Sequence, residues 1–284
     1  MSDALAIAGH SLREAVRRRV LLVVAMLTAV FLGLYALAAF EAFNSLEQEG
    51  GGGIPLDERA LAGGTLLGLA MFVALFLGVV LAVFLTLGAV RGDAERGLLQ
   101  PLVVRPVGRT TLLAGRMLAA SAVCALYVVT VFLAAVLITD AAGDFTPSSF
   151  VVPAAGLALG VVTVVAVSLL GSTVLGTTAN GIAIFMVFAT GLAAGLLGQI
   201  GEALQVDALE TASSIMSWIV PFEALYQNGL HALTADIGGA AGVIVQLGPF
   251  GGASDVGATI WVWAVAWSAI VLTLAALAFK RRDL

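Results

Sequence analysis

The sequence predicts an all-α polytopic membrane protein. It should contain six transmembrane helices, an N-terminal amphipathic helix, and short extracellular re-entrant helices between spans five and six. Three observations carry this expectation. The 284-residue chain is 61% hydrophobic and only 11% charged, with a mean hydropathy of +1.08; a soluble domain carries roughly 25% charged residues. Charge-free windows recur at lengths suited to bilayer crossing, which needs about 20 apolar residues. The basic residues also segregate to one side of those windows.

The elements follow in order. Within residues 4–19, Leu5, Ala8, Leu12, Ala15 and Arg19 share one helical face, with Val16 adjacent; His10, Glu14, Arg17 and Arg18 fall elsewhere. A basic amphipathic helix in the headgroup plane suits this pattern, the alternative being a frayed tail. Arg17-Arg18-Arg19 before an apolar run, with Ala36-Leu37-Ala38 beyond it, also resembles a signal peptide. The run outlasts the roughly 7 to 15 residues of a signal-peptide core, so a retained span is expected. Residues 20–40, 60–90 and 117–139 give the first three crossings. Residues 145–201 carry no Asp, Glu, Lys or Arg. That stretch is too long for one helix and fits two, broken at the polar run Thr177-Thr178-Ala179-Asn180-Gly181. Residues 256–279 supply the sixth.

Orientation follows from charge. With six spans, twelve of the thirteen basic residues lie on one side: Arg13, Arg17, Arg18, Arg19, the five arginines of the loop 91–116, and Lys280, Arg281 and Arg282. Only Arg59 lies opposite. Thirteen of the eighteen acids partition the other way, leaving the basic side at +7 and the other at −12. Both termini are therefore expected in the cytoplasm of a multi-pass plasma-membrane protein.

Several chemistries are excluded or disfavoured. Cys124 is the only cysteine, so neither an intrachain disulfide nor a thiolate metal cluster can form. Lys280 is the only lysine and is followed by Arg281, so no G-x-x-x-x-G-K-[ST] phosphate loop exists. Nucleotide chemistry would have to come from another polypeptide. The apolar windows contain no acid, base or histidine, which argues against ion-coupled antiport, intramembrane proteolysis and lipid head-group transfer. No nucleic-acid partner is expected.

The segment RGDAERGLLQPLVVRPVGRTTLLAGR, residues 91–116, is the only sizeable cytoplasmic loop. Asp93 can cap a short helix from Ala94, and Glu95 adds negative charge to its first turn. Leu98, Leu99, Leu102 and Val103 form an apolar stripe. Pro101 interrupts it, and Arg105-Pro106-Val107-Gly108 reads as an extended residue entering a turn, after which Thr110 caps the third span. Positive-inside anchoring would need the arginines alone. A docking surface for a cytoplasmic partner also explains the leucines, acids and prolines.

The run Glu95-Arg96-Gly97-Leu98-Leu99, then Leu102, then Arg105-Pro106-Val107-Gly108-Arg109, then Leu112-Leu113 and Gly115-Arg116 resembles the loop signature of ABC type-2 exporter permeases. That family has an E-R-G-T-L run, a P-V-S-R turn and a G-K pair opening the third span. Here Leu98 stands for Thr, Gly108 for Ser and Arg116 for Lys, which keeps the charge and the turn. Ser11-Leu12-Arg13-Glu14-Ala15-Val16-Arg17 and Arg281-Arg282-Asp283-Leu284 are similar to the family's terminal patterns. The nearest branch by resemblance is the permeases labelled as involved in multicopper-enzyme maturation.

The resemblance implies a single transmembrane domain over 1–284 that pairs with a second copy of itself in membrane lipid. Two cytoplasmic ATP-binding subunits dock beneath, holding the ATP and Mg while this chain holds no cofactor and catalyses no reaction. Residues 92–109 would be the coupling loop, with Glu95, Arg96, Leu98, Leu99, Leu102, Arg105 and Arg109 as its docking face. The implied function is export of an amphipathic or lipophilic substrate. The alternatives are an ATP-driven machine that moves no solute, such as one maturing an extracytoplasmic enzyme, and a scaffold without a motor.

The remaining features are weighed individually. Residues 203–258 lie outside, between spans five and six, where 211–220 and 221–234 are too short to cross. They suit helices dipping into the outer leaflet, as in the family's extracellular gate, or a cap lying on the membrane. His231 sits eight residues after Glu223 with no ligand at metal spacing, so an ordinary interfacial histidine is expected. The six methionines are dispersed and give copper no support. Gly64/Gly68, Gly156/Gly160 and Gly191/Gly195 permit close helix contacts, internal packing being favoured over a dimer seam. Trp261, Trp263 and Trp267 read as interfacial anchors.

Overall fold

The computed structural model describes residues 19–49, 56–87, 108–235, 237, 254 and 256–281. Every regular element among them is a helix. They are α1 (Arg19–Glu49), α2 (Leu56–Thr86), α3 (Arg109–Gly143), α4 (Val151–Val174), α5 (Thr177–Leu204), α6 (Asp207–Ile219), α7 (Phe222–Thr234) and α8 (Thr259–Lys280). Six of these, all but α6 and α7, are long and apolar enough to cross a membrane. The N-terminal amphipathic helix expected before Arg19 lies outside the described residues.

The helices outrun the charge-free windows. At 1.5 Å per residue, the 31 residues of α1 and the 35 of α3 reach about 46 and 52 Å, against a hydrocarbon core of about 30 Å. The surplus carries charge at the ends: Glu41, Glu47 and Glu49 on α1, Asp140 on α3, and Arg116 near its start. Helix direction is fixed by paired side chains. Thr28 meets the Tyr127 hydroxyl at 2.5 Å and Tyr35 meets Thr139 at 2.6 Å, so α1 and α3 run parallel. A Cβ on Gly78 would strike Val128 of α3 and approach Val161 of α4, and Thr86 bonds Ser168 at 2.5 Å, so α2 and α4 also run parallel. The first four spans thus alternate in direction. Arg59 and Asp144 come within 3.9 Å at one end.

Two expectations are corrected. The break between the fourth and fifth spans lies at Leu175-Gly176, not at 177–181: Gly176 is extended (ψ 161°) and the threonines already begin α5. Asn180 is in the helix and buried, donating from Nδ2 to the Ser168 carbonyl at 3.1 Å. In lipid no water competes for that amide, so it ties two helices together instead of forming a turn. The expected Thr110 cap is absent as well. Gly108 precedes α3 without a side-chain cap, and its carbonyl accepts from Leu112 N–H at 3.1 Å.

Candidate functional site

The short helices α6 and α7 have different fates. α6 buries no residue, whereas ten of the thirteen residues of α7 are buried. The segment between spans five and six therefore combines a surface-lying helix with an inserted one.

Glycine explains how α7 is admitted. A Cβ on Gly156 of α4 would lie 2.8 Å from the Leu225 carbonyl oxygen, and one on Gly160 3.6 Å from that of Phe222. Across the groove, a Cβ on Gly191 of α5 would stand 2.6 Å from the Phe222 ring, and one on Gly195 would collide with Glu223 Oε1. α7 contributes Gly229, whose missing Cβ would meet Met71 of α2 at 3.0 Å and the Pro153 backbone at 3.2 Å. Small residues let helices approach closely where lipid offers no hydrophobic drive. The paired glycines of α4 and α5 thus serve packing within the chain, as expected. Phe222 completes the seat by stacking on Phe188 with centroids 5.1 Å apart.

The last span holds both short helices. Trp261 Nε1 donates to Asn228 Oδ1 at 3.3 Å, reaching α7. Trp263 Nε1 donates to the Trp218 carbonyl at 2.8 Å, and the two indoles meet edge-on at 5.6 Å, reaching α6. Two of the three tryptophans read as anchors thus act as latches. From the other side, the left-handed Gln205 (φ 55°) turns the chain sharply after α5. α6 then lies back against it where Gly198 faces Ser213 and Gly201 faces Glu210.

Between α5, α6 and α7 lies a cavity of about 360 Å³. Its polar wall includes Glu202, Glu210, Ser213, Ser217, Glu223 and Gln227, and no Lys, Arg or His lines it among the described residues. Glu223 is only 3% exposed. Its Oε1 accepts from Gln227 Nε2 at 3.1 Å, and Gln227 Oε1 accepts from Ser254 at 2.8 Å. Its Oε2 has no partner. Burial pushes the Glu223 carboxyl up to about 8, against the opposing pull of the Gln227 hydrogen bond. The neighbouring Tyr226 phenol is raised by burial and then by the Glu223 charge.

The sequence reading passed over Glu223 except as a neighbour of His231. The available signal was Glu223 and Gln227 at i and i+4 on one face, bracketed by Phe222 and Tyr226. His231 is half-buried in the last turn of α7. Among the described residues no group of three His, Cys, Asp or Glu side chains could hold a metal.

The expected docking face is not among the residues so far placed. Glu95, Arg96, Leu98, Leu99, Leu102 and Arg105 are outside the described residues, and of Arg109 only its place as the first residue of α3 is described. The helices flanking that loop are well tied. Near the loop end of α2, Thr86 bonds Ser168 of α4, which in turn accepts from Asn180 of α5. Residues 5–284 match the family described as ABC-2 family transporter protein. No curated protein matches the chain.

Proposed function

The chain belongs to the ABC-2 transporter family, and from that premise we propose that it is the permease subunit of an ATP-driven exporter. The observation carrying this reading is the match over residues 5–284, joined to six helices of spanning length. Members of this family are generally non-catalytic membrane components that work with a cytoplasmic ATP-binding subunit. In the proposed assembly two permeases pair in the plasma membrane with both termini in the cytoplasm, and two ATP-binding subunits hold ATP and Mg²⁺. The absence of a phosphate-loop lysine from the sequence supports a separate motor.

The docking face is proposed to be Glu95, Arg96, Leu98, Leu99, Leu102, Arg105 and Arg109. Motion there would enter α2 and α3 directly. The Thr86–Ser168 bond would pass it to α4, and the Gly156 and Gly160 contacts would carry it along α4 to α7. Nucleotide-driven movement at the loop would thus reach the cavity at the far end of the bundle, which is read as the outer gate. An apolar bundle with scattered Ser, Thr and Asn suits an amphipathic or lipophilic cargo.

The test is capture of the ATP-binding subunit by wild-type permease and by Leu98→Asp with Leu102→Asp, at matched membrane levels. Two carboxylates buried without partners at an interface cost several kcal/mol, and about 1.4 kcal/mol is tenfold in affinity. The double variant should insert normally and lose its partner. Undiminished capture would reduce the loop to an anchor. ATP-dependent uptake by inverted vesicles then separates an exporter from a machine that moves no solute.

A further inference from the structure

We propose that the cavity between α5, α6 and α7 is a binding site for an organic cation, with Glu223 as the group that receives its ammonium charge. This deepens the exporter reading, naming the cargo class at the gate as a cationic amphiphile.

Three independent features converge. The cavity of about 360 Å³ has room for an ammonium head and a short apolar body. Its charged wall is of one sign, with Glu202 from α5, Glu210 from α6 and Glu223 from α7. Glu223 is 3% exposed with Oε2 unpartnered, although a buried polar atom is ordinarily satisfied. An uncompensated carboxylate at such a site costs several kcal/mol, so it either stays protonated or meets a cation. No cationic side chain lines the cavity among the described residues. In the ionised form its charge is left for a ligand to complement.

The remaining wall suits such a guest better than a bare metal ion. Ser213 and Ser217 offer hydroxyls, while Gly191, Ala194, Met216 and Val256 supply apolar surface. Gln227 holds Glu223 Oε1 and is itself held by Ser254, which fixes the carboxylate in the cavity wall. Titration belongs to the same picture. The titratable groups sharing the cavity with Glu223 are Glu202 and Glu210, and Tyr226 lies beside it on α7. α4, packed on the other face of α7, carries none. Burial pushes the Glu223 carboxyl up to about 8. A cation favours the ionised form, so each binding event below that pH releases one proton.

The test uses the full-length chain in nanodiscs of phosphatidylglycerol, which has no ammonium headgroup. Choline and its neutral isostere 3,3-dimethylbutan-1-ol are titrated from pH 6 to pH 9. Choline should bind more tightly than the alcohol above pH 8. Its apparent Kd should weaken about tenfold for each pH unit below 8, because only the ionised fraction is competent. The alcohol should show no such slope. Glu223→Gln, which keeps shape and hydrogen bonds, should abolish the slope and weaken choline at least tenfold, while Glu47→Gln, outside the cavity lining, should retain the slope.

Repeating the titration in phosphatidylcholine nanodiscs identifies the natural source. Competition by the lipid assigns the site to a headgroup, and undiminished binding assigns it to a free organic cation. Equal binding of choline and the alcohol at pH 9 would overturn the proposal, as would a choline affinity indifferent to pH in the wild type. The measurement needs neither ATP nor a partner, so its failure would leave the subunit reading to the capture experiment.

Discussion

Replacing Gly156 by Ala probes the seat of α7 with one methyl group. The added Cβ would stand 2.8 Å from the Leu225 carbonyl oxygen, about 0.6 Å inside ordinary contact. The obstacle is backbone, so no rotamer change relieves it, and α7 must shift as a whole. Overpacking of this kind costs about 1–3 kcal/mol. The same substitution also removes a helical glycine, which alone returns about 0.5–1 kcal/mol. Gly33→Ala isolates that second effect, because a Cβ at Gly33 in α1 would meet nothing within 4 Å. Subtracting one variant from the other leaves the collision. At roughly 2–4 °C per kcal/mol for a chain of this order, Gly156→Ala should melt about 2–12 °C below Gly33→Ala in matched nanodiscs. Gly33→Ala itself should equal or exceed the wild type. If Gly156→Ala melted with Gly33→Ala, α7 would not be seated on α4 as described, and the cavity beside it would lose its floor.

Three other outcomes are expected. Trp263→Phe keeps a ring against Trp218 but removes the 2.8 Å hydrogen bond to its carbonyl, at a cost of about 1 kcal/mol. Deuterium exchange should rise in α6 while the melting temperature barely moves, and unchanged α6 protection would deny the latch. Cysteines placed at Gly51 and Gly252 should be labelled from outside intact cells and one at Gly108 should not; labelling at Gly108 would invert or break the six-span topology. Finally, a buried carboxyl titrating at about 8 instead of its ordinary 4.5 is protonated in the fold where the unfolded chain has already ionised. Wild-type stability should therefore be fullest below pH 4.5 and fall as pH rises to 8. Melting curves of Glu223→Gln should lack that component, and a wild type equally stable across the window would place Glu223 in water.

The sequence already disclosed the six crossings, because lipid enforces a composition that few other environments tolerate, and runs such as 117–139 have no second reading. The short helices were also legible in extent. Pro221 separates two segments too short to span, and the observed Asp207–Ile219 and Phe222–Thr234 lie close to the expected pair. What could not be read was their depth. α6 and α7 have the same length and similar polarity, and only the glycine groove on α4 and α5 decides which is buried. Glu223 was hidden for the same reason, since a carboxylate in a short polar-flecked helix ordinarily faces water. The break at Leu175-Gly176 escaped because Thr177 to Gly181 has loop composition. In a membrane, threonines can return their hydroxyls to the preceding turn and Asn180 can bond Ser168, so polar residues persist within a helix.

The groove that receives α7 also has a place in time. Its walls come from α2, α4 and α5, all upstream of Phe222, so a ribosome delivers the complete receptacle before the helix that fills it. α7 is too short to cross, and with Glu223, Gln227, Asn228 and His231 it is too polar to partition into lipid unaided. Its insertion must follow assembly of the earlier spans. α8 emerges last, and Trp261 and Trp263 then fasten both short helices from above. Vectorial synthesis thus supplies mould, casting and clamp in order. A released chain ending before Thr259 would hold α7 seated and unfastened.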